Sequence, residues 1–142
     1  MGVDFCTADA TAAGNIRIVE EIRRRHPTTP IVINSLLPRN STELLRHNPY
    51  WKTISAVNHR LDCYAKTQQN VEFFNATDIF IYEDNFSLED DDDNDNDEGE
   101  ITEYYVNKSL MNDYLHPSGI GAMKWGQAIA KKVQALTEDS ER

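Results

Sequence analysis

Asp113 and His116 stand three residues apart in Asn112-Asp113-Tyr114-Leu115-His116-Pro117-Ser118-Gly119, directly ahead of a stretch with helical periodicity. An imidazole titrates close enough to neutrality to take a proton from a hydroxyl and give it back, and a carboxylate beside it fixes the tautomer and stabilises the imidazolium. The pair suits a general base with its orienting acid. Spacing alone does not single it out, because loop histidines are commonly only solvated. Ser118 lies two residues beyond His116. A nucleophile is presented to its base from a separate element, so this hydroxyl is assigned instead to capping the next helix. His26, His47 and His59 fall on polar or helix-terminal stretches and read as solvated.

The elements that must position the pair follow from apolar spacing. Ile16, Val19 and Ile22 predict an amphipathic helix over residues 10–25, stopped by His26-Pro27, with Arg23-Arg24-Arg25 complementing its C-terminal dipole. Residues 31–37, mostly apolar and β-branched and ended by Pro38, predict a buried strand, followed by a polar loop over 39–48. Trp51, Ile54, Val57, Leu61 and Tyr64 predict a second helix, and residues 71–75 a second strand. Residues 79–82 predict a short strand or turn. Trp125, Ile129, Val133 and Leu136 place a final helix over 119–136, with Trp125 in the core. Alternating helices and buried strands imply an α/β fold with a doubly wound parallel sheet covered on both sides. Two strands are too few for such a domain, so the 142 residues are expected to be a partial one whose first strands lie upstream.

The segment around the pair adds a resemblance. Tyr114-Leu115-His116-Pro117-Ser118-Gly119-x-Gly121, followed by Trp125, resembles the final block of SGNH (GDSL-like) hydrolases, in which Asp-x-x-His-Pro precedes the last helix. Glu21-Ile22-Arg23-Arg24-Arg25-His26-Pro27, the run to Pro38-Arg39, Val57-Asn58 and Val71-Glu72-Phe73-Phe74 are similar to other parts of that family. The nearest subgroup resembles platelet-activating-factor acetylhydrolase catalytic subunits. The resemblance implies a three-layer, flavodoxin-like domain, His116 as general base and Asp113 as orienting acid. It also implies a serine nucleophile and an oxyanion-hole glycine in blocks that this sequence lacks. The family's Gly-x-Asn-Asp block finds only Gly2-Val3-Asp4-Phe5, where Asp replaces the donating Asn. A carboxylate there removes an N–H donor and opposes a developing oxyanion, so the oxyanion hole is left unassigned.

Composition narrows the partners. The net charge of −10 argues against nucleic acid or an anionic membrane surface. Much of it lies in Asp90 to Glu100, inside a segment, residues 84–103, expected to be a disordered acidic loop inserted in the domain. No register of that tract gives the EF-hand spacing. Cys6 and Cys63 fit no zinc motif, and no metal or cofactor is implied. No run is long enough to span a membrane. Sequons at Asn40, Asn75, Asn85 and Asn107 are compatible with a secretory route and leave the compartment open. The expected function is hydrolysis of a small ester or acetylated substrate through a Ser-His-Asp triad whose serine lies outside this sequence. The alternative is a non-catalytic interaction module, its exposed sheet edge covered by a partner, or a pseudoenzyme.

Overall fold

The computed structural model describes residues 7–39, 42–87 and 100–139. Helix α1 (Ala8–Arg25) starts where the Thr7 hydroxyl accepts a hydrogen bond from Ala10 N at 3.1 Å. Strand β1 (Ile31–Asn34) leads through a short 3-10 turn (Leu45–His47) to α2 (Trp51–Lys66) and then to β2 (Val71–Phe74). The two strands pair in parallel, Ile31 opposite Val71 and Ile33 opposite Phe73. Asn70 adopts φ 59°, a left-handed turn that a short polar side chain tolerates, and its carbonyl accepts from Ile31 N at 2.8 Å. The helix–strand–helix–strand order matches the one expected, with β1 ending three residues sooner than the apolar run.

Side chains alternate across this sheet. Ile31, Ile33, Val71 and Phe73 join Ala12, Val19, Val57, Leu61 and Ala65 in one core under α1 and α2. Val57 and Leu61 are each 1% exposed, and each contributes about 1.5–3 kcal/mol by leaving water. Glu72 is one residue out of phase with Val71 and Phe73, and it forms an ion pair with Lys132 of the last helix, α4 (Gly119–Asp139). The parallel pair therefore has α1 and α2 on one face and α4 reaching the other.

A helical turn, α3 (Thr77–Phe80), carries the chain from β2 into an antiparallel hairpin of β3 (Ile81–Ser87) and β4 (Glu100–Val106). Tyr82 and Tyr105 stack across it with ring centroids 5.4 Å apart. Leu45, Phe80, Val106, Leu110 and Met111 form a second core, against which Trp51, Tyr114 and Trp125 pack.

The hairpin corrects the expected bounds of the acidic insert. Residues 84–87 and 100–103 belong to strands rather than to an inserted loop, because Ser87 pairs with Glu100 and Asp84 with Glu103. Acidic residues masked the strand signal of Phe86, Ile101, Thr102, Tyr104 and Tyr105. Glu103 is buried nonetheless, with Arg46 Nη1 2.5 Å from its carboxylate. The polar loop over 39–48 is also tied down: Leu45 is buried, Leu44 bridges to Tyr105, and Val106 N donates to Glu43 O at 2.8 Å. The disorder expected of the central acidic tract concerns residues 88–99, which lie outside the described residues, as do Cys6 and Gly2-Val3-Asp4-Phe5.

Asn75 is exposed, Asn107 is half-buried, Asn85 lies within β3, and Asn40 falls outside the described residues. Among the described residues no helix is long and apolar enough to cross a membrane.

Candidate active site

The segment bearing Asp113 and His116 is rooted in the second core. After β4, Leu110 N and Met111 N both donate to Asn107 O at 2.9 Å, and the Leu110 and Met111 side chains are buried. Asn107 Oδ1 accepts from Ser109 N and Ser109 Oγ, closing an Asx turn. Tyr114 N then donates to Met111 O at 3.0 Å. Tyr114 itself sits at φ 57° with its ring half-buried against the second core.

This turn gathers three donors on one carboxylate. Asp113 Oδ1 accepts from Leu115 N at 2.9 Å and from His116 N at 2.7 Å. Asp113 Oδ2 lies 2.8 Å from His116 Nδ1. The imidazole hydrogen bond, reinforced by the two backbone N–H groups, holds the Asp113 carboxyl far below the usual carboxylate range. An ionised carboxylate only accepts, so Nδ1 carries the proton of this hydrogen bond and Nε2 is the ring nitrogen left outside it. With side chains 73% and 57% exposed, His116 and Asp113 stand at the surface as a preformed acid–imidazole dyad. The sequence placed both residues in one loop, and the structure brings them into direct contact.

The helix after the dyad is seated by a residue that sequence reading assigned to capping. Ser118 Oγ accepts from Gly121 N at 3.1 Å and donates to Ser109 O at 2.9 Å, while Ser118 N donates to Leu110 O at 2.7 Å. Its hydroxyl is engaged with the helix start and the Asn107 turn, in keeping with a cap. Gly121 is a packing residue that no periodicity marks: a Cβ there would lie 2.2 Å from Leu110 O and 3.0 Å from the Phe80 ring. Helix α4 can approach the Leu110 carbonyl this closely only through a residue without a side chain. Trp125, one turn on, meets Phe80 edge to face, with centroids 6.1 Å apart.

A second polar cluster fastens the C-terminal end of β1. Thr77 N donates to Ser35 Oγ at 3.0 Å, and Thr77 Oγ1 donates to Leu36 O at 2.9 Å. The remaining 2.9 Å contact between the two hydroxyls must then use the Ser35 proton. Ser35 is buried with its proton committed, which makes it a structural residue rather than a nucleophile.

His26 and His47 are exposed at helix ends, as expected. His59 borders a separate open cleft of about 250 Å³ together with Trp51, Asp62, Phe73, Asn75 and Asp78, and neither dyad residue lines it. Cys63 is exposed, with its sulfur 3.7 Å from His59 Nε2. Among the described residues no group of His, Cys, Asp or Glu is arranged to hold a metal ion. The chain matches no protein-family model, and no curated protein sequence is significantly similar to it.

Proposed function

We propose that this chain contributes the base and acid of an SGNH-type serine acyl hydrolase, with His116 as general base, Asp113 as its orienting acid, and the serine and oxyanion donors supplied from outside the given sequence. The observation that carries the proposal is the 2.8 Å contact between His116 Nδ1 and Asp113 Oδ2 in a loop that exposes the imidazole. A neutral imidazole held this way presents Nε2 to an incoming hydroxyl. It takes the serine proton as the acyl bond forms, passes it to the leaving group, and then activates water for deacylation.

Two further features support a flavodoxin-like placement of the dyad: a parallel strand pair with helices toward both faces, and an Asp-His loop directly preceding the last helix. The substrate class is a small ester or an acetylated molecule.

Reaction of the native protein with a fluorophosphonate, followed by intact mass measurement, tests the proposal. A labelled species heavier than the 16.3 kDa chain, whose labelling is lost on His116→Ala, is the expected result. An unlabelled species of 16.3 kDa would sink the hydrolase reading for this chain and leave the interaction module.

A further inference from the structure

We propose that Tyr114 is a positioning residue for the dyad: its left-handed backbone aims the following amides at Asp113, and its ring, set into the second core, holds that turn in place. The inference rests on reading Asp113 and His116 as acid and base. A non-glycine residue at φ 57° is uncommon, and a bulky one at that value persists only where its surroundings hold it. Here two contacts do so: Tyr114 N is tied to Met111 O at 3.0 Å, and the half-buried ring packs with Trp125 around the core that contains Met111. A left-handed residue in a turn directs successive N–H groups toward one anion. In this loop those groups are Leu115 N and His116 N, both on Asp113 Oδ1, which leaves Oδ2 for the imidazole. Glycine would adopt the same φ without strain but would have no ring to anchor it.

The test reads the dyad directly in the full 142-residue chain. Long-range 1H–15N spectra at alkaline pH report the tautomer of neutral His116, and 13C spectra report the Asp113 carboxyl titration. Tyr114→Phe is expected to keep both parental values. Tyr114→Gly and Tyr114→Ala are expected to lose the predominance of the Nδ1–H form and to return Asp113 to the ordinary aspartate range. A folded Tyr114→Gly variant that holds the Nδ1–H tautomer as firmly as the parent overturns the proposal, because the turn alone would then suffice. An unfolded Tyr114→Gly variant overturns it too, since the residue would then serve the fold rather than the dyad. Because neither spectrum depends on turnover, a native protein of 16.3 kDa that resists fluorophosphonate, with the tautomer kept in the chain, would discard the hydrolase reading and leave Tyr114 in its role.

Discussion

Asn58 clasps Leu36 by both of its peptide groups: Asn58 Oδ1 accepts from Leu36 N at 2.7 Å, and Asn58 Nδ2 donates to Leu36 O at 3.0 Å. A side-chain amide thus pairs with the backbone just beyond β1 as a neighbouring strand would. The same Leu36 carbonyl accepts from Thr77, so three elements meet at one peptide.

Asn58→Ala strands the Leu36 amide beside a core where water has little access. The expected loss is about 2–3 kcal/mol, read as a lowered urea midpoint with an unchanged slope. A midpoint within experimental scatter of the parent would show that the clasp is replaced by solvent.

Gly121→Ala drives a methyl into the Leu110 carbonyl, which belongs to backbone and cannot swing away. Helix α4 must shift, at about 1–3 kcal/mol or more. Thermal unfolding should fall by several degrees, and the His116 ring resonances should move because Ser118 and Leu110 bind the helix start to the dyad's loop.

The depressed titration of Asp113 fixes the sign of its acid response. A carboxyl whose folded pKa lies below its unfolded value stabilises the fold fully above the unfolded value, about 3.9, and loses that contribution as pH falls through the lower folded value. The Asp113 carboxyl carbon should therefore keep its ionised shift at pH values where an unperturbed aspartate is already neutral. Titration in the ordinary range would mean that the imidazole contact is not kept in solution.

Asp113→Asn preserves shape but presents either an amide donor or a weaker acceptor to His116 Nδ1. In a form that carries the proposed nucleophilic serine, ester turnover should fall on the order of 10³–10⁴-fold, with fluorophosphonate labelling slowed in parallel. A loss below tenfold would remove Asp113 from the orienting role.

Helical spacing made α1, α2 and α4 legible, because apolar residues three and four apart report a buried stripe whatever the tertiary partner. The runs at Ile31 and Val71 were legible as short, mostly apolar stretches bounded by turn residues. The hairpin was not, since Glu83, Asp84 and Glu103 interrupt its apolar pattern and one of them, Glu103, is buried through an ion pair that sequence spacing cannot show. At the candidate site, Asp113, His116 and the cap at Ser118 were readable as residue types in a local order. Tyr114 and Gly121 were not, because their importance lies in a backbone angle and in an interatomic gap, neither of which has a periodic signature.

The bonds that shape the dyad are short-range in the chain: Asn107 to Met111, Met111 to Tyr114, Asp113 to His116, Ser109 to Ser118 and Ser118 to Gly121. Closing such small loops costs little chain entropy, whereas the parallel pairing of Ile31 with Val71 must first close a loop containing all of α2. The acid–base turn is therefore a low-contact-order unit seated on one core cluster. Its own turns can close early, while the seat beneath them forms only once Leu45, Phe80 and Val106 have come together.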